Sequence, residues 1–133
     1  MSSLPPRSEL RLGMDLVHVP DVQSSLDTFG QRYLRRVYTD RELATCAVNG
    51  GWSAARLAAR FAAKEAAVKV LRPVDGLSYR HIEVVNDSTG APELSFTGSA
   101  QLRADAVGLQ GHTLSLSHDG AYAVAVFAGL VAP

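Results

Sequence analysis

The chain has 133 residues, of which 47% are hydrophobic and 20% charged, enough apolar material for a single core and too much for a disordered chain. Its 13 basic and 13 acidic side chains cancel, which excludes a global field drawing the protein to nucleic acid or to anionic lipid. Cys46 is the only cysteine, which excludes an internal disulfide and a multi-cysteine zinc site and suits a reducing cytoplasm.

Residues 1–9 carry Pro5, Pro6, Arg7 and Glu9 and no apolar run, so they read as a loose tail rather than a signal peptide or an anchor. Residues 10–19 are rich in Leu and Val and predict a first strand, bearing Asp15 and closed by Pro20. Two helices are expected next, at 21–29 and 33–47. Gly30 separates them, and the run Thr39, Asp40, Arg41, Glu42 has the form of a helix start. Asn49, Gly50 and Gly51 break the chain, and Ser53 can cap a long helix that reaches Leu71 and stops before Pro73.

Beyond that helix, residues 79–86 and 93–97 predict two strands joined by the turn-rich segment Asp87 to Pro92. A helix at 99–107 follows. Two last strands at 113–117 and 122–129 are joined by His118, Asp119 and Gly120. The longest apolar stretch, 121–132, is too short to span a bilayer and reads as a buried strand. With no repeat and no linker composition, the expectation is one domain over 1–133, of class α+β, with an antiparallel sheet packed against one long helix.

Chemistry gathers on the long helix. A helical wheel puts Leu57, Phe61, Val68 and Leu71 on one stripe, expected to face the sheet, with Lys64 in its middle. An unpaired buried ammonium costs several kcal/mol, so Lys64 must reach an edge or meet an anion. Glu65 and Lys69 flank the stripe four residues apart, and taken alone they form an ordinary surface ion pair of roughly 0.2–0.5 kcal/mol. Eight alanines between Ala54 and Ala67 keep the helix slim, either for helix propensity or for close approach of another backbone or a ligand.

Four segments together resemble the holo-acyl-carrier-protein synthases, a small class of 4′-phosphopantetheinyl transferases. They are Leu12-Gly13-Met14-Asp15-Leu16-Val17, the run Arg60-Phe61-Ala62-Ala63-Lys64-Glu65-Ala66-Ala67-Val68-Lys69, the turn Thr89-Gly90-Ala91-Pro92, and Ser115-Leu116-Ser117-His118-Asp119 with the apolar strand after it. The resemblance implies transfer of the phosphopantetheine arm of coenzyme A to a serine of an apo acyl carrier protein, releasing 3′,5′-ADP, in fatty acid biosynthesis. It implies that Asp15 and Glu65 hold Mg²⁺ with the coenzyme A pyrophosphate, which agrees with the preference of Mg²⁺ for one or two carboxylates, waters and substrate phosphates. Lys69 matches the lysine that faces the phosphates and supports the leaving group. Arg60 and His118 match positions near the ribose 3′-phosphate, and Lys64, Gly90 and Pro92 are carried over as coenzyme-binding positions. The acceptor of the serine proton stays open between Glu65 and a water.

The resemblance also implies a homotrimer with coenzyme A held between neighbouring subunits. Many members carry Glu three residues after the motif aspartate and a basic residue six after it, where this chain has His18 and Asp21. Arg32, Arg35, Arg36 and Arg41 are the candidates for meeting an acidic carrier, and an ordinary solvated helix face explains them equally well. Other readings are the same reaction on a polyketide or peptide synthase carrier, a homologue that binds without transfer, and an interaction module. Retention of both Asp15 and Glu65 counts against the non-catalytic homologue.

Overall fold

The computed structural model describes residues 7–132. Most of the expected loose tail lies outside that range, although Glu9, assigned to the tail, already pairs with Val131. The strands are β1 (Glu9–His18), β2 (Ala47–Val48), β3 (Gly51–Trp52), β4 (Ile82–Asn86), β5 (Pro92–Phe96), β6 (Leu109–Asp119) and β7 (Tyr122–Val131). The helices are α1 (Val19–Phe29), α2 (Gln31–Val37), α3 (Asp40–Cys46), α4 (Ala54–Leu71) and α5 (Gly98–Val107), with a 3₁₀ turn at Tyr79–His81. The α+β expectation holds: β1, β7 and β6 form an antiparallel sheet in that order, β4 and β5 form a separate hairpin, and α4 lies between them.

Three local departures have identifiable causes. The helix expected over 33–47 is two helices, because Tyr38 turns extended and Thr39 opens α3 with a full capping box: its side chain accepts from Glu42 N, and the Glu42 carboxylate accepts from Thr39 N. Apolar spacing runs straight through that junction, so periodicity alone does not reveal it. The break at Asn49 and Gly50 is a tight hairpin turn, both residues having positive φ, with β2 and β3 on either side. The strand expected from residue 79 begins with the 3₁₀ turn and becomes extended only at Ile82.

Helix α4 packs on two sides. Leu57, Lys64 and Leu71 of the predicted stripe are fully buried, but Phe61 and Val68 are only half-buried, and Lys64 points toward β4 and the 3₁₀ turn. The side toward β1 carries Ala66 and Val70: Arg11 donates to the Val70 carbonyl, and Val70 packs near Gly129. Lys64, in the middle of the stripe, thus faces away from the sheet, and the contact with β1 is made by alanine, the residue that lets two backbones approach closely.

That approach is closest at Gly13. A Cβ built there would lie 1.9 Å from the Ala66 carbonyl oxygen, a backbone atom with nowhere to go. Gly13→Ala is therefore expected to destabilise the protein by about 2–3 kcal/mol through overpacking. Gly111→Ala, where an added Cβ meets nothing within 4 Å, is expected to stay within about 0.5 kcal/mol. Urea unfolding of the two variants checks the contrast, and equal stabilities would contradict the packing described.

Candidate active site

Alternation along β1 sends Arg11, Gly13, Asp15 and Val17 to the inner face, over α4, and Leu10, Leu12, Met14 and Leu16 outward. Close packing at Gly13 and Ala66 sets the next inner strand residue, Asp15, beside the next helical residue, Glu65. Both line one open cleft of about 420 Å³, together with Leu16, Val17, His18, Asp21, Val22, Ser25, Tyr33 and Phe61. Two carboxylates from segments far apart in sequence thus share a solvent-facing hollow.

The charges around them are arranged tightly. Lys69 Nζ donates to the Met14 carbonyl (2.6 Å) and to Asp15 Oδ1 (3.3 Å), so the lysine bridges to the strand instead of pairing with Glu65 along its own helix. Its side chain is 50% exposed and that of Asp15 22%, which leaves both within reach of a ligand. The Tyr79 hydroxyl donates to Glu65 Oε1. Burial, the bond to Glu65 and the nearby Asp15 charge push the Tyr79 pKa up to about 12, so the phenol keeps its proton as a donor at neutral pH. Tyr79, Tyr33 and Phe61 had no signal in the sequence: one sits in a turn read as strand, and the others read as helix core.

Arg60 and His118 line a second hollow of about 200 Å³ with Ala55, Arg56, Ala59, Leu116 and Ser117. Arg60 Nη1 donates to the Arg56 carbonyl (3.1 Å), while Arg60 Nε is buried without a partner among the described residues. An orphaned guanidinium donor beside an imidazole is a fit for an anionic oxygen. His118 lies in β6 and not in the connecting turn that the sequence suggested. No lining residue is shared between this hollow and the carboxylate cleft.

Lys64, Gly90 and Pro92 are placed elsewhere. Lys64 is fully buried, and its three ammonium protons are used by Glu42 Oε1 (2.8 Å), the Tyr79 carbonyl (2.9 Å) and the Ile82 carbonyl, so none is left for a phosphate. Burial draws its pKa below the ordinary lysine value, and the Glu42 carboxylate opposes that fall. Gly90 takes φ of 87° in the β4–β5 turn, where Asp87 Oδ1 accepts from Thr89 and Ala91, and neither Gly90 nor Pro92 lines either hollow. Within the single chain both residues shape the hairpin.

Known proteins match this arrangement along nearly its whole length. The family model for the 4′-phosphopantetheinyl transferase superfamily matches residues 11–127. The chain belongs to that superfamily. Holo-[acyl-carrier-protein] synthase of Herpetosiphon aurantiacus is 40% identical over 126 residues, covering 89% of this chain and 96% of the relative. The synthase of Geotalea daltonii is 45% identical over 117 residues, covering 86% and 92%. Among solved structures of the superfamily, the ACPS–CoA complex of Chronobacterium ammoniagenes superposes with a TM-score of 0.82 at 28% identity, covering 94% of this chain and 99% of that one. The Helicobacter pylori synthase in complex with coenzyme A gives 0.76 at 26% identity, covering 88% and 97%.

Within this transferase fold the buried Lys64–Glu42 pair is a structural joint. Lys64→Met strands the Glu42 carboxylate in the core and is expected to cost about 3–5 kcal/mol. A variant that unfolded like the parent in urea but bound coenzyme A more weakly would instead make Lys64 a ligand residue.

Proposed function

We propose that this superfamily member transfers the 4′-phosphopantetheine group of coenzyme A to a serine of an apo acyl carrier protein, giving the holo carrier and 3′,5′-ADP, with Mg²⁺ as cofactor. The observation that carries the reading is the convergence of Asp15 and Glu65 on one cleft, in a chain whose relatives are holo-[acyl-carrier-protein] synthases. The donor set fits the metal: two hard carboxylates, with no cluster of three or more His, Cys, Asp or Glu among the described residues, suit an ion that completes its shell with waters and substrate phosphates. Bound there, Mg²⁺ would offset the charge of the pyrophosphate during transfer.

The chain's own groups supply the rest. Asp15 and Glu65 would hold the ion, which would supply the countercharge for the pyrophosphate. Lys69 spends two donors on Met14 and Asp15, which holds its half-exposed ammonium beside Asp15 and leaves a proton for the departing phosphate oxygen. Arg60 and His118 are suited to the ribose 3′-phosphate, the Arg60 Nε proton being free for it.

The two hollows share no residue, and the outer face of β1 is apolar: Leu10, Leu12, Met14 and Leu16 are 61–67% exposed, opposite Leu130, Ala128, Val126 and Val124. A monomer rarely leaves such a patch bare. These observations support an assembly in which the cleft of one subunit and the Arg60–His118 hollow of its neighbour hold one coenzyme A; the resemblance makes it a homotrimer, and Leu16 belongs both to the apolar face and to the cleft wall. The strand 121–132 that reads as buried in sequence has only its inner face fully buried within one chain, and assembly would cover the rest.

The carrier is acidic, and its docking surface is read as α2. Arg32, Arg35 and Arg36 are exposed there. Arg32 and Arg36 line a hollow of about 240 Å³ with Phe29, Ser25 and Tyr33, and the last two also line the carboxylate cleft. Exposed Arg41 lies near Glu83 on α3's side. His18 and Asp21 pair with each other at the cleft wall (3.3 Å). No described helix is long and apolar enough to cross a membrane. The setting proposed with the reaction is fatty acid biosynthesis in the cytoplasm, carried out by a single domain.

Incubated with Mg²⁺, coenzyme A and apo acyl carrier protein, the purified chain is expected to add the phosphopantetheine mass to the carrier, read by intact mass spectrometry. Glu65→Gln should keep the fold and lose at least about 100-fold in rate. Absence of any adduct across several carriers would refute the reading. Light scattering of the wild type is expected to give the mass of three chains, and Leu12→Glu, which replaces a side chain exposed in the single chain, to give that of one. A wild-type monomer would remove the shared-site arrangement.

A further inference from the structure

Reading Glu65 as a metal ligand leaves open what aims it. A glutamate has three rotatable side-chain bonds, and a carboxylate that must meet a cation at a fixed distance beside Asp15 gains nothing from that freedom. Tyr79 removes it. Its hydroxyl donates to Glu65 Oε1, and its ring packs against Phe61, one helical turn before Glu65 on α4, at 5.6 Å between centroids.

Tyr79 is itself held from behind. Its carbonyl accepts from Lys64 Nζ (2.9 Å), and the same ammonium is held by Glu42 Oε1 and the Ile82 carbonyl. Glu42 in turn accepts from Thr39 N and, through Oε2, from Val84 N (2.9 Å). The turn that presents the phenol is thus pinned to α3, α4 and β4 by one buried ion pair. A tyrosine serving only the core would need its ring at Phe61, and not a hydroxyl placed on a half-buried carboxylate in the cleft.

We infer that Tyr79 is a positioning residue, whose hydroxyl holds Glu65 in the orientation in which it and Asp15 share one divalent cation, while the Lys64–Glu42 pair fixes the turn that presents it. The inference rests on the proposed metal site and adds the group that organises it.

Tyr79→Phe deletes the hydroxyl and keeps both the ring contact and the backbone carbonyl, so the fold is preserved. Mn²⁺ binding in the presence of coenzyme A, without carrier and so without turnover, is followed by the paramagnetic resonance of the free ion. Loss of an outer-shell partner typically weakens metal binding by about 10–100-fold, and a Kd raised at least about tenfold is expected for Tyr79→Phe, with the urea midpoint unchanged. The Mg²⁺ concentration for half-maximal rate should rise by a similar factor, with a smaller effect on turnover at saturating metal. Glu65→Gln serves as the reference for loss of a ligand. If Glu65→Gln loses Mn²⁺ while Tyr79→Phe binds as tightly as the wild type or tighter, the positioning role is overturned and the metal site stands. If the wild type holds no Mn²⁺, or Glu65→Gln binds it normally, the metal assignment and this inference are overturned together.

Discussion

Everything at the site depends on how near two backbones come. The Ala66 carbonyl occupies the space where a Gly13 side chain would begin, and that contact fixes the height and rotation of α4 over β1. One residue before Ala66 stands Glu65, and two residues after Gly13 stands Asp15, so the two carboxylates meet as a consequence of packing, not of any attraction between them. Like charges brought together gain nothing by themselves, and the approach has to be imposed by the scaffold and relieved by cations. Lys69 supplies one such cation within the chain, reaching across to Asp15.

The scaffold can impose this because α4 is gripped from the other side too. Lys64 places a fully buried ammonium between Glu42 and two carbonyls, joining α4 to α3, to β4 and to the 3₁₀ turn. Such a pair gains little over an apolar core of the same shape, since desolvation consumes most of the Coulombic attraction. Its value lies in direction. Hydrophobic contacts allow a helix to slide or rotate by small amounts, whereas three hydrogen bonds from one nitrogen and three to one carboxylate are satisfied in a single arrangement.

Much of this was legible in the residues. The long helix was bounded by Ser53 and the proline beyond Leu71, and the Asp15 strand by its β-branched and leucine content, because caps and breakers are local signals. That Lys64 needs an anion is legible, since charge cannot stay alone in a core, but nothing local points to Glu42: it lies 22 residues away and looks like the end of a capping box, which it also is. Tyr79 escapes for the opposite reason, and of the alanine side of α4 only its slimness is legible, not the strand that meets it. Periodicity weighs apolar bulk, and it is blind to a contact made by having no bulk and to a hydroxyl presented by a turn.

β1 carries the two consequences of the fold on its two faces. Its odd residues, Arg11, Gly13, Asp15 and Val17, meet α4 and build the cleft, while its even residues, Leu10 to Leu16, form the bare apolar face. Because side chains alternate with a period of two, a slip of one residue against β7 would turn Asp15 outward, press Met14 toward Ala66 and abolish both surfaces at once. Gly13 prevents that slip: of the residues in this strand, it alone has no side chain to collide with the helix. The position that admits α4 therefore also sets which face of the strand lines the cleft and which is left bare and apolar, so that the site and the assembly proposed around it are coupled through the register of one strand.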